Sequence, residues 1–148
     1  MNAPAAERSA AKIWAGALAA IAPITARPRY LLPDVIDDRA ERFGDALALL
    51  ADAESFSFRV LARRLSRYAR WALQAGIKRG DTVCLFLPNC PDYVAAWLGI
   101  SRIGGVAALI NTKLVGTSLA HCVNVAKADQ VMLSADLAEV FEAALPYL

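Results

Sequence analysis

The pattern of apolar and polar positions is clearest in the middle of the chain. Val83–Leu87 is an unbroken apolar run between two turn-forming segments, which is typical of a strand that is buried on both faces. A second apolar run covers Val106–Ile110. Between the two runs, apolar residues recur at spacings of three and four, as on one face of a helix: Tyr93, Ala96, Trp97, Ile100 and Ile103. Strand, helix and strand within about thirty residues predict a right-handed βαβ unit with parallel strands.

The ends of this central helix can also be predicted. Pro91 suits the first helical position, because a residue without an N–H loses no hydrogen bond there. Asn89 or Cys90 would then be the N-cap, and Asn89 has the better side-chain acceptor. The helix should end at Gly104-Gly105, because glycine lets the backbone leave the helical conformation.

The flanking segments predict further helices and strands around this unit. The clearest is a helix over Arg59–Ala75, which has one apolar face and ends before Gly76. Phe56 and Phe58 should share one face of a short strand. The other predicted elements are a helix from Pro33 to Gly44, a hairpin of Ala46–Leu50 with Ser55–Phe58, a helix from Gly116, a strand over Gln130–Leu133 and a helix over Ala135–Leu145. The predicted fold class is therefore α/β, a parallel βαβαβ block with flanking helices.

Residues 1–32 are interpreted as a small-residue tail, a short amphipathic helix and a linker that contains proline and arginine. Ser9 can cap this helix, which should end before Pro23. Its apolar face contains Ile13, Ala17, Leu18 and Ile21. A helix on the domain surface explains the pattern better than a membrane anchor, because few basic residues follow Lys12 on the polar face. A secretory signal peptide is a further alternative, which the acidic and proline residues in this stretch disfavour.

Composition and charge narrow the class of protein. Apolar residues make up 57% of the 148-residue chain, enough to bury the core of one ordinary domain. The net charge of +2 is too small to predict a nucleic-acid partner. Cys84, Cys90 and Cys122 lack C-x-x-C spacing, which favours free thiols in a cytoplasmic protein over a metal site. No uninterrupted apolar stretch has the length of a transmembrane helix.

Few residues are arranged as a catalytic site would require. The loop Leu87–Pro91 contains no glycine, so its backbone cannot wrap around a phosphate as the dinucleotide-binding and P-loop motifs do. His121, the only histidine, is next to Cys122 on a predicted helix, where the two side chains do not face each other. Asp81 and Asp92 are explained by local backbone hydrogen bonds at the starts of elements.

One face of the predicted helix Arg59–Ala75 is strongly basic. Arg63, Arg67 and Arg70 form this face, with Arg59 and Arg64 at its edges. Five arginines could bind a nucleotide, the phosphates of CoA or an anionic lipid, although a solvated face is the more common explanation.

Three segments of the central region carry a family resemblance. Gly80–Gly99 reads G-D-T-V-C-L-F-L-P-N-C-P-D-Y-V-A-A-W-L-G, and I-G-G-V-A-A-L-I-N-T-K-L and S-L-A-H-C-V follow it. These segments resemble the AMP-forming, or adenylate-forming, acyl-CoA synthetases, and W-L-G, A-A-L-I-N-T and L-x-H-C together resemble their fatty-acid transport protein and long-chain branch. The resemblance covers roughly Leu32–Leu137. It implies that residues 33–148 are part of the large N-terminal AMP-binding domain, truncated before its phosphate-binding loop.

The resemblance also implies an activity for the complete enzyme. With Mg²⁺, ATP and a fatty acid form an acyl-adenylate and release pyrophosphate, and CoA then accepts the acyl group. In the family, this reaction depends on a Ser/Thr/Gly-rich loop, a Y-G-x-T-E segment, a ribose-binding Asp and a C-terminal Lys. Val115–Ser118 is the nearest approach to that loop and lacks its second glycine and its lysine. The resemblance therefore assigns no catalytic, cofactor-binding or metal-binding residue and no bound cofactor to this chain.

Two functional hypotheses are left open by the sequence. The chain is expected to be the N-terminal part of a fatty acyl-CoA synthetase that is inactive by itself. Alternatively, it is a non-catalytic interaction module, or a remnant, that pairs with a separately encoded remainder of the synthetase. Missing strands should leave an exposed sheet edge and an apolar patch, which predicts self-association or pairing. The expected location is the cytoplasm, with peripheral contact to the inner face of the membrane as a further option.

Overall fold

A computed structural model describes residues 9–26, 30–128 and 130–148. The chain divides into two compact units, Met1–Leu31 and Leu32–Leu148. The described part of the first unit is one helix, α1 (Ala10–Thr25), and the hydroxyl of Ser9 accepts a hydrogen bond from the Lys12 N–H at its start. The helix passes through Pro23, so its predicted end was wrong. The predicted tail, residues 1–6, lies outside the described residues.

The second unit contains the elements that build the sheet. In chain order they are α2 (Leu32–Phe43), β1 (Leu47–Leu50), β2 (Ser55–Ser57), α3 (Phe58–Gln74), β3 (Thr82–Phe86), α4 (Pro91–Arg102), β4 (Val106–Leu109), α5 (Gly116–Ala126), β5 (Gln130–Leu133) and α6 (Ala138–Glu142). Single 3-10 turns at Ala135–Leu137 and Leu145–Tyr147 flank α6. The predicted continuous helix Ala135–Leu145 was therefore wrong, because the last segment is divided into short pieces.

The parallel block forms a three-stranded sheet in the order β4-β3-β5. Cys84 in the middle of β3 is in register with Ala108 of β4 on one side and Val131 of β5 on the other. Both pairings are parallel, and β1 and β2 form a separate antiparallel hairpin. The predicted α/β fold with a parallel βαβαβ block is confirmed.

Side chains of β3 alternate between two covered faces of this sheet. Val83 and Leu85 pack in one cluster with residues of α3 and α4, namely Ala72, Ala96 and Ile100. Cys84 and Phe86 pack in a second cluster with residues of α5, namely Leu119, Ala120 and Val123, and with part of α6. Because both faces are covered, every residue from Val83 to Phe86 is fully buried. This explains the unbroken apolar run in the sequence.

Helix α3 begins and ends at side chains and backbone conformations that the sequence specifies locally. The Ser57 hydroxyl accepts a hydrogen bond from the Val60 N–H at 3.2 Å, so the helix begins at Phe58. Phe58 therefore does not extend β2, and the prediction that it shares a strand face with Phe56 was wrong. Gly76 follows the C-cap with a φ of +80°, a left-handed conformation that favours glycine, as predicted.

Helix α4 packs against α3 as well as against the sheet. Pro91 is the first helical residue, as predicted, but the N-cap is Cys90 without a side-chain capping bond, so the choice of Asn89 was wrong. Leu98 and Gly99 are buried although they lie outside the predicted apolar stripe, whereas Trp97 within it is only partly buried. A helix with two packing partners buries a wider surface than a single stripe indicates.

Arg102 at the end of α4 connects this helix to α2 and α3. Its guanidinium donates hydrogen bonds to the Ser66 hydroxyl and to the Pro33 carbonyl, both at 3.0 Å, and it forms an ion pair with Asp37. The three contacts come from two other helices. Arg102 therefore links the end of α4 to both α2 and α3.

Candidate functional site

A cavity of about 780 Å³ lies at the carboxyl ends of β3 and β5. The chain leaves β3 to form β4 on one side and returns to form β5 on the other, so the gap between β3 and β5 is the switch point of the sheet. Open parallel sheets usually bind their ligands in the crevice at this position. This cavity is therefore the candidate functional site of the described residues.

The cavity is formed by three segments that are far apart in the sequence. Helix α3 forms one wall, the loop from β3 into α4 forms a second, and the end of β5 forms the third. The lining residues are Arg64, Arg67, Tyr68, Trp71, Leu87, Pro88, Cys90, Asp92, Val131, Met132, Leu133 and Ser134. The lining combines apolar side chains with a small number of polar groups, which is the usual composition of a ligand pocket.

Arg64, Tyr68 and Asp92 form a charged cluster where α3 crosses the start of α4. A guanidinium nitrogen of Arg64 lies 3.5 Å from Oδ2 of Asp92, and both side chains are partly exposed. Burial raises the pKa of Tyr68, the negative charge of Asp92 raises it further, and the positive charge of Arg64 opposes the rise. Tyr68 therefore keeps its proton to a higher pH than an exposed tyrosine does.

Two buried oxygens in the cavity wall have no hydrogen-bond partner among the described residues: Oδ1 of Asp92 and Oγ of Ser134. Buried polar atoms are almost always hydrogen-bonded, because an unpaired one costs about 1–3 kcal/mol. Both oxygens can accept a hydrogen bond. These two unpaired acceptors distinguish this part of the cavity wall within the described residues.

Alkaline pH should destabilise the protein partly through Tyr68. Because the pKa of Tyr68 is higher in the folded protein than its ordinary value of 10.0, the stabilisation that it contributes is complete below pH 10.0 and is lost as the pH rises further. We expect the free energy of unfolding to fall less steeply above that pH in Tyr68→Phe than in the wild type. Urea unfolding at a series of alkaline pH values measures this, and equal slopes would contradict it.

The arrangement is suited to binding, and it lacks a paired nucleophile and base. The Cys90 thiol lines the cavity, but the only histidine of the chain, His121, is exposed on α5. The charge of Arg64 is offset by Asp92, and Arg67 has no ion pair or hydrogen bond within the described part of the chain. Hydrogen bonds, one free guanidinium and the apolar side chains of Trp71 and Met132 can hold a group in place. Nothing in the cavity identifies a catalytic role.

The structure changes the interpretation of two aspartates. The Asp81 carboxylate accepts a hydrogen bond from the Lys78 N–H at 2.7 Å, so its predicted local role is confirmed. Asp92 instead pairs with Arg64 across two helices, so its predicted local role was wrong. The sequence also did not predict Tyr68 or Ser134 as site residues. Their positions depend on the packing of α3 and β5, which no sequence spacing shows.

The described residues contain neither a cluster of metal ligands nor a membrane-spanning helix. Within residues 9–26, 30–128 and 130–148, no three His, Cys, Asp or Glu side chains are grouped as metal ligands would be. None of the helices in the same ranges combines the length and the apolar character that crossing a membrane requires.

The fold and this sheet crevice can be compared with known proteins. A protein-family model described as AMP-binding enzyme matches residues 36–146. The chain belongs to the AMP-binding enzyme family. This finding confirms the resemblance to adenylate-forming enzymes that the segments between Gly80 and Val123 indicate.

Relatives in this family include a ligase and a transport protein. Crotonobetaine/carnitine–CoA ligase of Citrobacter koseri is 32% identical over 105 residues, which cover 68% of this chain and 20% of that protein. Long-chain fatty acid transport protein 6 of Mus musculus is 33% identical over 101 residues, which cover 68% of this chain and 16% of that protein. The chain therefore spans a fifth or less of the length of these curated relatives.

Two solved structures are similar to this chain in fold. The N-terminal subdomain of Klebsiella oxytoca NpsA, in complex with anthranilyl-AMSN, is 26% identical with a TM-score of 0.67, covering 74% of this chain and 28% of that one. The N-terminal domain of FACL13 from Mycobacterium tuberculosis has a TM-score of 0.71 at 23% identity, covering 75% of this chain and 28% of that one. The second likeness concerns the fold alone.

Proposed function

We propose that this chain is the N-terminal part of an ATP-dependent fatty acyl-CoA synthetase. The observation that carries the proposal is the AMP-binding enzyme match over residues 36–146, joined by relatives that are named as a CoA ligase and as a long-chain fatty acid transport protein. In the complete enzyme, ATP, Mg²⁺ and CoA would be used, and a fatty acid would be the substrate.

The residues around the cavity do not fit Mg²⁺ and ATP. Pro88 and Pro91 have no N–H, so two of the residues in the loop from β3 to α4 cannot donate to a phosphate. Val115–Ser118, at the start of α5, contains one glycine and no lysine. Among the described residues no group of metal ligands is present either. We therefore assign the chain a supporting role, in which β3, β4 and β5 provide a framework for groups supplied by the rest of the enzyme.

The 148-residue chain should not activate a fatty acid by itself. Purified chain incubated with ATP, Mg²⁺ and oleate is expected to release no pyrophosphate above a protein-free blank, because it lacks a triphosphate site. A full-length ligase of the family, assayed in parallel, shows that the conditions support turnover. Pyrophosphate release that depends on oleate and on this chain would contradict the proposal.

A second candidate function is a module that pairs with a separately encoded remainder of the synthetase. The open edges of the sheet favour it, because β4 and β5 each pair only with β3 in the described part of the chain. Val106 and Leu109 on β4 are about half exposed, at 50% and 48%. Exposed apolar side chains on an unpaired strand are suited to a further strand. In this case co-expression with the remainder should restore acyl-CoA formation.

The same surface predicts self-association of the isolated chain. Light scattering is expected to give a mass above 15.9 kDa that rises with concentration, because an unpaired apolar strand edge can pair with a second copy. Val106→Lys on β4 should shift the population toward monomer, whereas Val125→Lys on the exposed side of α5 serves as a matched control. A concentration-independent monomer would contradict this prediction.

We also propose that the protein is located in the cytoplasm. Peripheral contact with the inner face of the membrane is a further part of this proposal. All three cysteines are free, which supports a reducing compartment. A fluorescent fusion of the chain in fractionated cells tests this location.

A further inference from the structure

Helix α3 carries three arginines whose charges are not offset by any residue that the structure describes. Arg63, Arg67 and Arg70 are exposed and form no ion pair or hydrogen bond with any described residue. The other two arginines of the helix have partners, since Arg59 pairs with Asp45 and Arg64 pairs with Asp92. The helix contains no acidic residue. A row of unpaired positive charge therefore follows one side of α3.

These arginines line a groove of about 360 Å³ between α2 and α3. Ala62 and Ser66 form part of its floor, and Arg63, Arg67 and Arg70 stand along its α3 side. The one carboxylate in the groove, that of Asp37, already pairs with Arg102. Arg63 and Arg67 also line a second hollow of about 200 Å³ on the other side of this row. Arg63 and Arg67 therefore lie between two concave surfaces, and Arg70 lines one of them.

This row of arginines is unfavourable for the isolated helix. Like charges at i,i+3 and i,i+4 destabilise a helix by about 0.2–0.5 kcal/mol per pair, and Arg63–Arg67 and Arg67–Arg70 are two such pairs. No apolar packing requires a guanidinium at these exposed positions. An anion bound in the groove would attract each of these arginines and so offset their mutual repulsion.

We propose that the groove between α2 and α3 binds an anion with two linked phosphate groups. Arg63 and Arg67 are separated by about 6 Å along the helix axis, because each residue advances the helix by about 1.5 Å. A guanidinium binds phosphate oxygens through two parallel hydrogen bonds, so each of two linked phosphates can contact one or two arginines. The binding involves no metal ligand and no chemical step. It is independent of the proposed synthetase function.

Titration with inorganic pyrophosphate tests the proposal on the intact 148-residue chain. Arg63→Gln/Arg67→Gln is expected to weaken binding at least tenfold and to raise the melting temperature of the free chain slightly, because repulsion is relieved. The matched control is Arg39→Gln/Arg42→Gln on α2, which removes the same charge from two side chains that lie over the Phe43 ring. The control should change the affinity less than twofold. The single variant Arg67→Lys should bind pyrophosphate more tightly than Arg63→Gln/Arg67→Gln and less tightly than the wild type.

A second arm of the experiment separates a soluble phosphate from a lipid headgroup. Phosphatidylcholine vesicles with and without diacylglycerol pyrophosphate, whose headgroup carries two linked phosphates, are sedimented with the chain and its variants. Binding of pyrophosphate alone identifies a soluble ligand, and loss of binding to the acidic vesicles in Arg63→Gln/Arg67→Gln identifies a lipid phosphate. The proposal is overturned if neither probe binds, if citrate binds as tightly as pyrophosphate, or if both double variants bind equally.

Discussion

Replacing Gly99 with alanine is expected to lower the free energy of unfolding by about 3 kcal/mol, the upper end of the usual cost of overpacking. Gly99 lies where α4 crosses α3 at close range. An added Cβ would be 2.6 Å from the Tyr68 Cβ, 2.8 Å from the Leu65 carbonyl oxygen and 2.9 Å from the Ala69 nitrogen. Two of these atoms belong to the backbone of α3 and cannot rotate away. The helices would have to separate, and contacts along both would be lost.

Chemical denaturation followed by circular dichroism measures this effect. Gly16→Ala in α1 is the matched control, because Gly16 is also helical and an added Cβ there would have no atom within 4 Å. Alanine is the better helix former, so the control should lose no helix content. A cost below about 1 kcal/mol for Gly99→Ala would show that α3 and α4 can move apart without loss of packing.

The parts of the fold that the sequence predicted correctly depend on neighbours in the chain. The run Val83–Leu87, the first helical position at Pro91 and the left-handed Gly76 each follow from residues within a few positions. A strand that is buried on both faces has a continuous apolar run, so the burial of both faces of β3 could be predicted. These features require only local periodicity and the conformational limits of glycine and proline.

The parts that could not be predicted depend on contacts between distant segments. Asp92 is close to Arg64 only because α3 crosses α4, and Arg102 is close to Asp37 only because α2 lies beside them. Buried positions of α4 outside the apolar stripe, such as Leu98, have the same origin. Local periodicity describes one packing face of a helix and gives no information about a second.

The candidate site belongs to this second group. Its walls come from α3, the loop before α4 and the end of β5, so no single stretch of sequence contains its pattern. The family resemblance is confirmed by the AMP-binding enzyme match, but it assigns no site residue to this chain. Ser134 has no distinguishing sequence signal, and only the absence of a partner for its buried hydroxyl marks it.

Replacing Phe86 with alanine is expected to have the largest effect of any substitution considered, about 3–5 kcal/mol. Phe86 is fully buried at the end of β3 and packs among Leu119, Val123 and Ala144 in the cluster that joins the sheet to α5. Its ring centroid lies 6.5 Å from that of Phe141. Truncation would leave a cavity between the sheet and the helices, because the surrounding backbone is held by the parallel strand pairing.

A loss of this size is comparable with the whole stability of a marginal domain, about 5–15 kcal/mol, so Phe86→Leu is needed as a milder variant. It keeps most of the buried volume and should cost clearly less than Phe86→Ala. The matched control is Phe43→Ala at the end of α2, where the side chain is 41% exposed and the loss should be less than half as large. Equal losses for Phe86→Ala and Phe43→Ala would contradict the placement of β3 at the centre of the core. If Phe86→Ala fails to fold, the same substitution at both positions still tests that placement, because Phe86→Leu should lose more stability than Phe43→Leu at the half-exposed end of α2.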